Sequence, residues 1–385
     1  MTDEEWRDTV REFAEQRIRH LSAEMDRTAR LDAALREELF AAGLMAIEIP
    51  RAYGGRGGNL FDVMVGIEEV ARVDPGVAVT VDVHNALIVS TILRLGNGDL
   101  KRRFLPALAR GSIGAFALSE EQAGSDALNL KTVAEPVAGG FLLRGRKKWT
   151  SSAVHADLFL VFAASPDGRE ASAFLVDRGA PGLTVAEPTD QLGVRAAATA
   201  ELTLDGVLVR AVDAVGGVGA GRSVALEALD IGRLGIAAQM VGLAQGALEL
   251  SLRHAAHREQ FGSRINTFQG VQFPIASVAT RVQAARALTY DAVRAVEQGC
   301  SPVERLRMSA MAKLFAAEVA EHAAGVAVEV HGGTGYDRAH PVEKLFRDAK
   351  AGKIYEGTVN ILLRTIFPTL AGSPSVNVAV PVGTG

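Results

Sequence analysis

Leu158-Phe159-Leu160-Val161-Phe162 is a short apolar run bounded by polar and turn-forming residues, and it reads as a buried strand. Comparable runs stand on either side, Phe141-Leu142-Leu143 before it and Ala173-Phe174-Leu175-Val176 after it, separated by Gly, Pro and Asp. Outward toward the N-terminus, Trp6, Val10, Phe13, Ala14, Arg17, Ile18 and Leu21 fall at helical spacing, and helical patterns continue through residues 35–44, 63–73, 83–95 and 100–109. Outward toward the C-terminus, Gly216-Gly217-Val218-Gly219-Ala220-Gly221 leads into Ala-rich stretches near 223–257, 269–298 and 302–330, which read as packed helices of a bundle. Strands gathered in one block argue against a Rossmann domain, where strands and helices alternate. The expected class is therefore α+β: helices over 1–111, a small β domain over 112–221, a helical bundle over 222–371, and a flexible tail over 372–385.

At 385 residues and 48% hydrophobic composition, the chain can bury a large core. A net charge of -4 and a pI near 6.1 supply no basic field, so nucleic acid is not an expected partner and phosphate must be met by local basic residues. Cys300 is the only cysteine, which excludes an internal disulfide and a cysteine-cluster metal site. The acidic start Met1-Thr2-Asp3-Glu4-Glu5 lacks the charge of a signal peptide, and no later apolar run is expected to approach the length of a bilayer span. A cytoplasmic protein without a membrane partner is expected. His254 and His257 stand three apart but lack a third ligand at a convincing spacing, so no metal is expected. There is no G-x-S-x-G elbow, and Cys300 has no evident histidine partner, so hydrolase chemistry is unsupported. Gly54-Gly55-Arg56-Gly57-Gly58 and the stretch at 216–221 lack the dinucleotide-binding and Walker A registers and read as flexible loops.

Chemistry enters at Lys353-Ile354-Tyr355-Glu356-Gly357-Thr358, where a lone carboxylate stands beside an aromatic ring and a glycine. Desolvation among apolar groups raises a carboxyl toward the range useful for taking a carbon-bound proton, although a solvated helix residue is the plainer reading. Phe116-Ala117-Leu118-Ser119-Glu120-Glu121-Gln122-Ala123-Gly124-Ser125-Asp126 offers amides and hydroxyls beside a small-residue turn, suited to a planar or phosphorylated ligand. Lys148-Trp149-Thr150-Ser151-Ser152 sets an indole beside hydroxyls, which suits covering a ring and also suits an ordinary core tryptophan. Arg258-Glu259-Gln260-Phe261-Gly262 ends one long helix, and Glu329-Val330-His331-Gly332-Gly333 is read as following another; Arg258 can neutralise a pyrophosphate. Asp230 and Arg233 share a helical face, the spacing of a simple ion pair.

Taken in order, these segments resemble the acyl-CoA dehydrogenase family from Glu12 to about Leu370. Lys148-Trp149-Thr150-Ser151-Ser152-Ala153, Ser172-Ala173-Phe174-Leu175-Val176-Asp177-Arg178, Gly232-Arg233-Leu234-Gly235-Ile236-Ala237-Ala238-Gln239-Met240 and Tyr355-Glu356-Gly357-Thr358-Val359-Asn360 look most like its short/branched-chain enzymes. The resemblance implies FAD, a helical N-terminal domain, a β-barrel-like middle domain, a C-terminal four-helix bundle and a homotetramer built as a dimer of dimers. It implies Glu356 as the base that removes the α-proton of an acyl thioester while hydride passes to flavin N5, and an electron-transfer flavoprotein as acceptor. The Glu356 backbone amide is implied to bond the thioester oxygen. Flavin contacts are implied for Phe116, Leu118, Ser119, Gly124, Ser125, Trp149, Thr150 and Ser151. The remainder of FAD is implied at Arg258, Phe261, Gln269, Glu329, Val330, His331, Gly332, Gly333, Thr358 and Asn360, partly across a subunit interface. Substrate contacts are implied for Ser125, Arg222, Asp230, Arg233 and Gly357. Gly232 occupies the position that carries the base in the isovaleryl-type branch.

The chain also departs from that pattern. Glu121-Gln122 replaces a smaller pair, Arg195-Ala196-Ala197-Ala198-Thr199 lacks a customary serine, the loop between Ala164 and Ala171 has lost a substrate-contacting tyrosine, and Arg222 stands where relatives carry an aromatic. The expected substrate is a short or 2-methyl-branched acyl-CoA. The same oxidation on an acyl carrier protein, a dioxygen-using oxidase and a non-catalytic scaffold are the alternatives.

Overall fold

The computed structural model describes residues 2–371, so the expected tail at 372–385 lies outside the described residues. The N-terminal helices are α1 (Asp3–Phe13), α2 (Ser22–Thr28), α3 (Ala33–Ala41), α4 (Leu60–Ala71), α5 (Pro75–Asp82), α6 (Ser90–Leu95) and α7 (Gly98–Arg110). Their starts are written locally. Thr2 with Glu5 and Asn59 with Asp62 form capping boxes, Asp32 and Asn97 cap α3 and α7, and Asp74 caps α5 just ahead of Pro75. Between α5 and α6 the helix widens into a π-turn over Val83–Val89, so Pro75–Leu95 forms one nearly continuous apolar rod.

That rod corrects one expectation. Its 21 residues, with a mean hydropathy of 1.6, are long and apolar enough to span a bilayer, yet almost all of it is buried inside the protein, where it serves as a core helix.

The β block contains β1 (Gly114–Ala117), β2 (Val133–Val137), β3 (Gly140–Thr150), β4 (Leu158–Ala164), β5 (Ala171–Asp177), β6 (Leu183–Val185) and β7 (Ala200–Val209). They form one mixed sheet in the order β1-β4-β2-β3-β7-β6, with β5 on β4. Every position of β4 is buried, as its unbroken apolar sequence demands, and Phe159, Phe162 and Phe174 are fully enclosed. β1 runs parallel to β4, pairing Gly114 with Leu158, while β3 and β7 are antiparallel. The β3–β7 register slips between Lys147/Leu202 and Thr150/Ala200, a bulge whose extra residue re-aims the end of β3.

The C-terminal part comprises α8 (Gly221–His257), a two-strand hairpin of β8 (Glu259–Gln260) and β9 (Ser263–Arg264), α9 (Gln269–Glu297), α10 (Pro302–His331), α11 (Pro341–Ala351) and α12 (Val359–Leu370). α10 ends at His331, one residue beyond its expected stop, so Glu329, Val330 and His331 form its last turn rather than a following loop. Gly221 opens α8, so the expected glycine-rich loop is shortened by that residue.

Buried polar ties hold the helical parts together. Arg286 Nε and the Tyr290 hydroxyl of α9 donate to Glu68 of α4 at 2.9 and 2.6 Å, and Arg7 of α1 donates to Glu69. On the other side, Lys344 Nζ of α11 lies 2.7 Å from Asp348 and 3.3 Å from Asp74, the cap of α5. This fixes α11, and the turn that follows it, against α5.

Candidate active site

A cleft of about 940 Å³ opens where the β block, α5, α8 and the α11–α12 turn meet. Phe116, Leu118, Ser119, Gly124, Ser125, Trp149 and Ser151 line it from the sheet side. Arg222, Asp230 and Arg233 line it from α8, and Glu356, Gly357 and Thr358 from the turn. Thr150 is buried behind the wall, with its hydroxyl unpartnered.

The β3 bulge explains Trp149. Its backbone is left-handed at φ 57°, and the residue is 44% exposed and forms part of the cleft wall, which excludes the core reading. The loop after β1 is held from below by buried Lys147, whose Nζ donates to Leu118 O at 3.0 Å and Glu120 Oε1 at 2.7 Å. Burial pushes the Glu120 carboxyl up, but Lys147, Thr132 and the Lys131 N–H outweigh this and hold it at about 2. Gln122, one of the departures, also donates to Glu120 at 2.7 Å and so reinforces the turn. The exposed indole lines the cleft together with Ser119, Ser125, Ser151 and Thr199, residue types suited to covering a flat ring and hydrogen-bonding its edge.

Glu356 projects from the turn toward α8. A Cβ at Gly232 would stand 3.0 Å from Glu356 Oε2, so the missing side chain there is what admits the carboxylate. That oxygen is buried without a hydrogen-bond partner, although the residue as a whole keeps part of its surface open to the cleft. Burial pushes the Glu356 carboxyl up to about 7, against the pull of Arg233 and Lys313. Glu356 itself is left-handed at φ 54°, a strain of about 1–2 kcal/mol for a residue with a side chain. Arg233, paired with Asp230 at 3.1 Å, donates to the Glu356 carbonyl at 3.3 Å, so the Asp230–Arg233 pair also supports the turn.

Two residues here were not picked out from the sequence. Asp82, the last residue of α5, lines the cleft fully buried with neither carboxylate oxygen partnered. A Cβ at Gly235 would lie 1.8 Å from Asp82 Oδ1, so two glycines one turn apart on α8 face the two acids. Burial raises Asp82 well above the usual range, and the neighbouring Glu356 adds to the push. The signal was an acid inside the apolar run Val81-Asp82-Val83. Lys313 of α10, fully buried, donates to the Gly357 carbonyl at 2.6 Å. Its signal was a lysine within the small apolar stretch Met311-Ala312-Lys313-Leu314-Phe315.

The remaining expected residues do not reach this cleft. Arg258 and Phe261 lie on the hairpin after α8, Gln269 starts α9, and Gly332 and Gly333 form the turn after α10. The His254 and His331 rings lie 4.1 Å apart, which brings these ends together, and no metal-holding cluster exists among the described residues. Twenty-six residues of helix separate Gly232 from Arg258, about 39 Å at 1.5 Å per residue, so one chain does not gather both sets around one small molecule. Asn360 is exposed on α12 and does not line the cleft.

Family profiles described as acyl-CoA dehydrogenase N-terminal, middle and C-terminal domains match residues 2–112, 115–207 and 219–370. A probable short/branched chain specific acyl-CoA dehydrogenase of Dictyostelium discoideum is 42% identical, covering 94% of this chain and 87% of that protein. The mitochondrial short/branched chain specific acyl-CoA dehydrogenase of Rattus norvegicus is 42% identical, covering 93% and 83%. Among solved structures, butyryl-CoA dehydrogenase from Megasphaera elsdenii superposes with a TM-score of 0.92 at 32% identity, covering 96% of this chain and 99% of that one. The prolyl acyl carrier protein oxidase AnaB gives 0.90 at 29%, covering 96% and 98%. With all three domains matched in order and the cleft formed where they meet, this chain belongs to the acyl-CoA dehydrogenase family.

Proposed function

We propose that the chain oxidises the Cα–Cβ bond of a short or 2-methyl-branched acyl-CoA to the trans-2-enoyl-CoA, with Glu356 as base. The observation that carries this reading is the orphaned Glu356 oxygen, buried in the cleft and placed against Gly232. FAD is the cofactor, and when bound it takes up the hydride released from Cβ. The indole and hydroxyls of the sheet-side wall fit its planar ring system.

The protein's own part is to hold and move a proton. A carboxylate with a pKa raised to about 7 has the basicity to accept the α-proton, and the apolar walls formed by Val79, Val83 and Leu87 keep water from competing for it. The Glu356 N–H has no protein partner among the described residues, which leaves it free to bond the thioester oxygen as negative charge develops there. The proton ends on Glu356, the hydride leaves Cβ, and the electron pair of the broken Cα–H bond becomes the new π bond.

Two chains complete the FAD site in this reading: the cleft of one holds the ring, and the Arg258, Gln269 and 329–333 region of another holds the ADP end, within a homotetramer. An electron-transfer flavoprotein accepts the electrons, in a cytoplasmic setting.

Anaerobic mixing with 2-methylbutyryl-CoA or butyryl-CoA tests the proposal. Loss of the yellow flavin absorbance is expected; unchanged absorbance with every short thioester rejects it. A second reading changes the carrier to an acyl carrier protein, favoured by the exposed Arg222 at the cleft mouth. Turnover of a carrier-bound acyl group without turnover of its CoA ester selects it.

A further inference from the structure

Glu356 and Gly357 both take left-handed backbone, at φ 54° and 105°, and the carbonyls of the two peptides that follow Glu356 are each gripped by a basic side chain. Arg233 Nε reaches from α8 to the Glu356 carbonyl at 3.3 Å, and Lys313 Nζ from α10 to the Gly357 carbonyl at 2.6 Å. Lys313 is 0% exposed and, among the described residues, has no other hydrogen-bond or ion-pair partner. Packing does not account for it. An ammonium buried beside a single carbonyl costs more than a methionine or leucine of similar volume in the same Ala-rich helix.

We propose that Lys313 is a positioning residue for α-proton transfer: with Arg233 it clamps the two peptide planes after Glu356 and keeps that residue's carboxylate in the cleft. A side chain at positive φ relaxes toward the right-handed region unless its surroundings hold it, and that relaxation swings the carboxylate away from Gly232. The proposal rests on the reading of Glu356 as the base.

Lys313 also acts by charge below about 7, the value to which burial lowers its ammonium against the pull of Glu356. Glu356 is faced by Arg233 and Asp230 from α8, Lys313 from α10, Asp82 from α5 and Tyr355 from its own turn, with Arg305 of α10 reaching Asp230. Of these, Arg233 and Lys313 favour the ionised base, and Arg233 is already engaged with Asp230. Removing the Lys313 charge leaves burial less opposed, so the base then needs a higher pH to ionise.

The test compares Lys313→Met, Lys313→Arg and Glu356→Gln in the flavin-loaded protein. Readouts are the pH profiles of kcat and kcat/KM, the binding of a non-reacting thioether analogue of butyryl-CoA, and the thermal midpoint. In Lys313→Met, kcat is expected to fall by about 10²-fold, with analogue affinity within about threefold of wild type. Its acid limb is expected to move up by roughly one pH unit. Lys313→Arg keeps the charge and a donor and is expected to restore most of the loss. A wild-type limb and rate in Lys313→Met overturn the clamp, as does a folded Lys313→Arg as impaired as Lys313→Met. Should Lys313→Met fail to fold, Lys313→Arg decides alone: an acid limb within about 0.3 pH unit of wild type supports the clamp and a larger shift overturns it. Normal turnover in Glu356→Gln instead rejects the base assignment itself, which keeps the two failures apart.

Discussion

In the proposed function a single carboxyl, that of Glu356, carries the chemistry, and its environment makes claims in both rate and stability. Glu356→Gln is expected to retain flavin while lowering turnover by about 10²- to 10⁴-fold, measured as kcat at neutral pH, because an amide cannot accept the α-proton. The same residue makes the fold sensitive to pH. Its carboxyl titrates near 7 when folded and near 4.5 when unfolded, so between those values the native state keeps a proton that the unfolded chain gives up. Stability therefore falls as pH rises through that window, by an amount on the order of 1–3 kcal/mol. Denaturant midpoints for Glu356→Gln are expected to lose this slope. Asp82 follows the same sign in a window that starts near 3.8, since burial holds it neutral well above its ordinary value. Asp82→Asn is expected to be more stable than wild type at pH 8, read from urea melts. A less stable Asp82→Asn at that pH would show that the carboxylate has a native partner.

At the scale of elements, the local devices were the most legible. The β4 run, the end of α8 at His257 and the start of α9 at Gln269 follow from the apolar pattern. Trp149 was not legible in this way. Nothing in Lys148-Trp149-Thr150 announces a bulge, because the slip arises from pairing with β7, which lies some fifty residues away in sequence. Asp82 and Lys313 escaped for a related reason: each sits in an apolar helix, and only the packing of α5 and α10 around the α11–α12 turn shows what they face. The glycines of α8 are where the site depends on an element's shape. Gly235→Ala would drive a methyl to within 1.8 Å of Asp82 Oδ1, so this change is expected to cost about 1–3 kcal/mol of stability and to weaken substrate binding. Calorimetry and KM measured together check it, and an unperturbed variant would mean that α8 and α5 are less tightly apposed than described.

Across the whole molecule, the residues expected at the FAD site divide into two groups at opposite reaches of α8. Sequence order carried the helix–sheet–helix plan, since strands confined to one block leave few other arrangements. It could not show that Arg258 stands about 39 Å from Gly232, because linear motifs carry no distance. If a second copy supplies the distant group, Arg258→Ala is expected to lower FAD retention during gel filtration by about tenfold while leaving the fold intact. Full retention by a monomeric Arg258→Ala would contradict a shared cofactor site.

Glu356 as the base is tested by exchange of the α-hydrogens of a 3-thia-acyl-CoA, a thioester whose sulfur at the β position prevents hydride loss, followed by proton NMR in D2O. Wild-type protein is expected to exchange them rapidly, and Glu356→Gln, still binding flavin and ligand, to exchange them no faster than buffer. Undiminished exchange by Glu356→Gln would contradict the account.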